Sequence, residues 1–106
     1  MTMSEKRSTE TIIAPAAGSD AFEYKAAAAR NRMIALWAAE KMGLAGKSSE
    51  SYAAAVVRAD GDQPSEEDVI RKVLGDLTAS NISVRESEVR TKAAEYLAQS
   101  REALKN

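Results

Sequence analysis

Asp20-Ala21-Phe22-Glu23-Tyr24-Lys25-Ala26-Ala27-Ala28-Ala29-Arg30-Asn31-Arg32-Met33-Ile34-Ala35-Leu36-Trp37-Ala38-Ala39-Glu40-Lys41-Met42-Gly43 is the stretch that decides the fold. Phe22, Ala26, Ala29, Met33, Leu36 and Trp37 recur at spacings of three and four, which lays an apolar stripe along one side of a helix. Asp20 and Glu23 form an Asp-x-x-Glu pattern, so the Asp20 carboxylate is expected to accept from the free amides of the first turn. Gly43 ends the run, as a residue that enters the left-handed region at low cost. Trp37 falls on the stripe, so core packing is expected for it, with its indole N–H needing a partner.

Three further helices follow from the same kind of pattern. A short one is expected from about Ser49, with Tyr52, Ala55, Val56 and Ala59 on one face, stopping before the turn-rich Asp60-Gly61-Asp62-Gln63-Pro64. Ser65 with Asp68 predicts a capped start for the next, whose stripe is Val69, Ile70, Val73, Leu74 and Leu77 and whose end is Asn81. Ser83 with Glu86 predicts another capping box, opening a last helix through Val89, Ala93, Tyr96, Leu97, Ser100 and Leu104. Four amphipathic helices with short connections predict an all-α four-helix bundle with mostly antiparallel neighbours.

Upstream, residues 1–19 lack any period and are punctuated by Pro15 and Gly18. They read as a flexible N-terminal arm, leaving residues 20–106 as the four-helix domain. Within the arm, Ile12 and Ile13 read either as a small apolar clip against the first helix or as part of a partner-binding tail.

Composition narrows the function classes. The 106 residues carry 16 acidic and 15 basic side chains, a net charge of -1, no histidine, and 21 alanines against five aromatics. Without histidine or cysteine there is no disulfide, no Cys/His zinc site and no histidine base, so no enzyme is expected. The balanced charge argues against a nucleic-acid partner. No apolar run is long enough to insert in a membrane, and the short apolar stretch near the N-terminus is broken by Pro15, so a cytoplasmic location is expected.

Two motifs invite chemistry and fail its requirements. Gly43-Leu44-Ala45-Gly46-Lys47-Ser48 matches only the end of a phosphate-binding loop: Lys41 stands where the first glycine belongs, and a helix rather than a strand precedes it. A plain helix-to-helix turn is expected. Asp60, Asp62, Glu66, Glu67 and Asp68 cluster, but Pro64 occupies a ligand position of any calcium loop drawn through them, so a solvated acidic face is expected. The charge is unevenly spread, with +2 over residues 21–46 and -3 over residues 61–78, an asymmetry suited to steering a protein partner.

Phe22-Glu23-Tyr24-Lys25-Ala26, Ala29-Arg30-Asn31-Arg32 and Leu36-Trp37-Ala38-Ala39-Glu40-Lys41-Met42-Gly43-Leu44, followed by Tyr52-Ala53, Val56-Val57, Glu67-Asp68-Val69-Ile70-Arg71-Lys72-Val73 and Asp76-Leu77, occur in an order and spacing that resemble the zeta subunit family of alphaproteobacterial F-type ATP synthases. The resemblance runs from about Asp20 to the C-terminus. It implies a four-helix fold and a regulator that docks on the catalytic head subunits and inhibits ATP hydrolysis, with an N-terminal segment entering the head as a wedge. The docked protein would be peripheral to the inner membrane, and the free protein a monomer. Ile12, Ile13, Lys25, Arg30, Asn31, Arg32 and Lys41 are the expected partner contacts. No cofactor is expected beyond weak ATP or ADP binding, to which no residues are assigned.

The tail departs from the family pattern, in which phenylalanines stand among paired charges along the lines of Phe-x-x-Lys-Phe-Ala. Here the stretch reads Ile12-Ile13-Ala14-Pro15-Ala16-Ala17-Gly18-Ser19. A proline inside a helix costs about 3 kcal/mol, so a continuous rod into the first helix is not expected. The alternative is therefore a divergent zeta-like protein with weak or no inhibition, acting as a helical interaction module or an adenine-nucleotide sensor.

Overall fold

The computed structural model describes residues 16–61 and 63–105. The protein is an all-α four-helix bundle: α1 spans Asp20–Lys41, α2 Lys47–Asp60, α3 Glu66–Ala79 and α4 Glu86–Leu104, with no strand among the described residues. The expectation of a flexible arm falls mostly on residues 1–15, which lie outside the described residues.

Helix ends follow the local chemistry, with three departures from expectation. α1 is capped by Ser19, whose Oγ accepts from the Phe22 N–H at 3.0 Å. Asp20 is the first helical residue instead, where its charge opposes the positive end of the helix dipole. At the other end, Gly43 (φ 82°) lets its own N–H reach the Glu40 carbonyl at 3.0 Å and that of Leu44 the Ala39 carbonyl at 2.9 Å. α2 begins at Lys47, two residues before expectation, directly after Gly46. α3 starts as expected, with Ser65 Oγ accepting from the Asp68 N–H at 3.2 Å. Asn81 closes it at φ 62°, its N–H bonded to the Thr78 carbonyl at 3.0 Å.

The box at Ser83 and Glu86 does not form. α4 is preceded by Arg85 in extended conformation and has no side-chain cap. Ile82 and Val84 both pack against the core, and this period of two holds the segment extended past Ser83.

α1 is the spine of the bundle, packing extensively on α2 and α4 and also on α3. Arg101 reaches Glu23 at 2.8 Å and Lys41 reaches Glu88 at 3.8 Å, so α1 and α4 run antiparallel. The α3–α4 pair differs: Arg90 in the start of α4 grips Glu67 in the start of α3 at 2.7 Å, so these helices meet near their N-terminal turns. Val69, Ile70, Val73 and Leu77 of α3 supply much of the core's bulk. They meet Ile34, Ala35 and Ala38 of α1, Ala53 and Val56 of α2, and Val89 and Ala93 of α4.

The buried face of α1 is rotated from the expected stripe. Phe22 and Ala26 are buried as expected, but farther along it is Ile34, Ala35, Ala38 and Ala39 that are fully enclosed. Ala29, Met33, Leu36 and Trp37 are half-buried. The cause is α1's two flanking neighbours: where helices approach on both sides, alanines fit between the backbones and larger side chains lie at the seams. Trp37 accordingly sits partly covered, with the Lys41 ammonium 5.4 Å from its ring centre.

A half-buried polar link joins α2 to α3, where the Tyr52 hydroxyl donates to Asp76 Oδ2 at 2.7 Å. Burial, reinforced by the adjoining carboxylate, pushes the phenol well above its usual 10.0. Because the folded-state value is raised, the stabilisation is fully present below pH 10.0 and is lost as pH rises towards the folded-state value. In an alkaline titration followed by tyrosinate absorbance, Tyr52 should ionise last, and Tyr52→Phe should remove that late component. For the caps, Ser65→Ala should cost about 1 kcal/mol in urea unfolding. Ser83→Ala should stay within about 0.5 kcal/mol.

Candidate functional site

The Ala29-Arg30-Asn31-Arg32 string lies midway along α1, where successive side chains point in different directions. Arg30 and Asn31 are only 3% and 1% exposed. Arg30 Nε donates to Asn31 Oδ1 at 2.8 Å, and Asn31 Nδ2 donates to Asp60 Oδ2 at 2.6 Å. The same Asp60 oxygen accepts from the Ser65 N–H at 2.7 Å. One carboxylate thus clasps the α2–α3 connection to α1. Glu66 lies 3.9 Å from Arg30 Nη1. Burial pulls the Arg30 guanidinium below its ordinary value of 12.5, opposed by the charges of Glu66 and Asp60. Asp60 Oδ1 is buried with no hydrogen-bond partner among the described residues.

The other expected contacts separate. Lys25, Arg32 and Lys41 are exposed on α1, while Ile12 and Ile13 lie outside the described residues. Lys25 and Arg32 are seven residues apart and share a side of the helix; Lys41, nine beyond Arg32, lies on the opposite side. The ion pairs agree with this geometry: Arg32 reaches Glu50 of α2 at 2.6 Å, and Lys41 reaches Glu88 of α4 at 3.8 Å. The cations of α1 therefore divide between its two seams and form no single patch.

The acidic cluster is also dispersed. Glu67 receives both terminal nitrogens of Arg90, at 2.7 and 2.9 Å, and those bonds hold its carboxyl below the usual range. Asp68 pairs with Arg71 at 3.1 Å, and Asp60 is occupied by the clasp. Asp62 lies outside the described residues. Among the described residues no group of three or more such ligands is arranged to hold a metal ion. The glycine-containing stretch from Gly43 to Ser48 is the turn between α1 and α2 together with the first two residues of α2, and a helix rather than a strand precedes it.

One surface feature escaped the sequence reading. Tyr24 is 48% exposed, the only large hydrophobic side chain so exposed among the described residues. It lines a groove of about 480 Å³ between the start of α1, the α2–α3 connection and α4, with Ala27, Pro64 and Leu97 among its walls and Asp20 and Glu23 at its edge. Its signal in the sequence was an aromatic standing off the apolar stripe of α1.

If the clasp holds the α2–α3 connection, Asn31→Ala should cost about 2–3 kcal/mol in urea unfolding, because it removes a hydrogen bond to a charged, partly buried group. Arg32→Ala, one residue on but in an exposed pair, should cost less than about 1 kcal/mol under the same conditions.

A protein solved in solution by NMR is 43% identical, with the match covering 77% of this chain and 93% of that one at a TM-score of 0.64. No curated protein matches the chain. The family model for ATPase inhibitor subunit zeta matches residues 5–103, which takes in the tail, the clasp and all but the end of α4. The chain belongs to the ATPase inhibitor subunit zeta family.

Proposed function

We propose that the chain is a regulatory subunit that docks by its helical domain, residues 20–106, on the catalytic head of an F-type ATP synthase and restrains ATP hydrolysis through its N-terminal segment. The observation that supports this reading is the family match itself, which begins at residue 5 and so includes the segment along with the bundle. In this reading the protein performs no chemical step. A segment lodged between moving subunits raises the barrier to a conformational step, and the bundle outside anchors it. Lys25, Arg32 and Lys41 are the exposed cations of α1 available to an acidic partner surface, at the rims of two different seams. Arg30 and Asn31 act on docking indirectly, by fixing the α2–α3 connection. The free protein is a monomer, and the docked one lies at the cytoplasmic side of the membrane; no described helix is long and apolar enough to cross it.

Inhibition by this tail is weaker than a continuous phenylalanine-bearing helix would give. Pro15 lacks an amide hydrogen and crowds the preceding turn, and Ile12 and Ile13 replace larger aromatic anchors. Titrating the protein into the cognate catalytic head should lower ATP hydrolysis partially. Pro15→Ala should reduce the half-inhibiting concentration by at least about tenfold, since about 3 kcal/mol of helix penalty is relieved. A flat activity curve at molar excess, with binding demonstrated in the same samples, would overturn the inhibitory reading.

A further inference from the structure

The groove beside Tyr24 has an occupant within reach. Tyr24 is 48% exposed there, and Ala27, Pro64 and Leu97 are half-buried around it. Glu23 at the edge is paired with Arg101 at 2.8 Å, whereas Asp20 has no ion-pair partner among the described residues. The groove thus offers Tyr24, Ala27, Pro64 and Leu97 as apolar wall, with Arg30 and Gln63 also lining it and the Asp20 carboxylate as the unpaired acidic group at its rim. It suits an irregular segment carrying aliphatic side chains and a nearby cation.

The chain preceding Ala16 has that composition and enters at that place. The Ser19 N–H donates to the Ala16 carbonyl at 3.1 Å and Gly18 takes φ 84°, so the chain turns before α1 instead of continuing its axis. Fifteen residues lie beyond this turn, with Ile12 and Ile13 four and three positions from Ala16 and Lys6 and Arg7 farther out. Four residues span at most about 14 Å when extended. Ala27 lies about 10 Å along α1 from Asp20. The chain length from Ala16 to Ile12 therefore exceeds the length of groove to be spanned, and Lys6 and Arg7 stand farther out along the sequence.

We propose that the groove is the docking site of this chain's own N-terminal segment, with Ile12 and Ile13 covering Tyr24 and Leu97, and Lys6 and Arg7 facing Asp20 and Glu23. The tether makes the contact intramolecular, so even a small apolar contact is populated at a high effective concentration. The contact is also reversible, because two isoleucines on an irregular segment offset little of the ordering entropy. A segment held here is unavailable to another protein. If the preceding reading is right, release from the groove becomes the first step of engaging the catalytic head.

The test needs only the isolated full-length protein, so its failure is distinct from failure of the inhibitory reading. Amide spectra of the protein and of the double variant Ile12→Ser/Ile13→Ser should differ at Tyr24, Ala27, Gln63 and Leu97 and coincide at Val73 and Leu77. Gln63 and Leu97 decide the matter, being far from the substitutions in sequence. Superimposable spectra at these groove positions would overturn the proposal. So would a difference that grows with protein concentration, which would assign the groove to a second copy. Because the chain has no native cysteine, a nitroxide on Ser8→Cys gives an independent reading. Broadening at Gln63 and Leu97 should fall when Ile12→Ser/Ile13→Ser is added, and unchanged broadening would overturn the assignment.

Discussion

Asp60 Oδ2 accepts two hydrogen bonds, one from the Asn31 side chain in the middle of α1 and one from the Ser65 backbone at the start of α3. Through that single oxygen, the spine of the bundle and the helix that supplies much of its bulk are held in one relation. The order of events along the chain makes this consequential. α2 ends at Asp60, the connection turns through Gly61, and Ser65 caps α3 four residues later. Had the connection been free to slide, Val69, Ile70, Val73 and Leu77 would lose their placement against Ile34, Ala35 and Ala38. A hydrogen-bonded carboxylate is suited to this task because its partners must be met at fixed distance and angle, which apolar contact does not demand.

The remaining construction is one of small residues and seams. α1 buries four alanines, Ala26, Ala35, Ala38 and Ala39, beside the larger Phe22 and Ile34, and at the alanine positions the flanking helices can approach closely. Such a core has little bulk, and the half-buried Leu36, Trp37, Tyr52 and Tyr96 extend it outward along the helix contacts. Ion pairs then close the surface between helices, Glu23 with Arg101, Arg32 with Glu50 and Glu67 with Arg90, where water screens them and their contribution to stability is small. Their value is in register and orientation more than in energy.

Much of this was legible in the sequence, and the failures have identifiable causes. The four helices, the Ser65 cap and the ends at Gly43 and Asn81 depend on chemistry within a few residues, which a sequence displays directly. Ser19 rather than Asp20 caps α1, because two adjacent residues can both accept and only the backbone geometry selects between them. The box at Ser83 loses to the packing of Ile82 and Val84, a tertiary demand with no local mark. Arg30 and Asn31 read as surface because charged and amide side chains usually are; their burial depends on Asp60, 29 positions beyond Asn31. A stripe drawn through the largest apolar residues also misjudges a helix enclosed on two sides. Ala35, Ala38 and Ala39, which lie off that stripe, mark its buried face. The resemblance of the Ala-Arg-Asn-Arg and Trp-Ala-Ala-Glu-Lys strings led to the family, while what those residues do within the fold became visible only with the clasp and the seams in place.

The half-covered position of Trp37 has a use beyond packing. It is the chain's sole tryptophan, its ring faces the seam with α4, and the Lys41 ammonium above it is shared with Glu88 across that seam. The emission of such an indole depends on hydration and on the nearby charge. The protein thus carries its own optical gauge at the junction of its first and last helices. Any partner that pries α1 from α4, or presses them together, writes its effect into the colour and yield of one chromophore, with no foreign dye added.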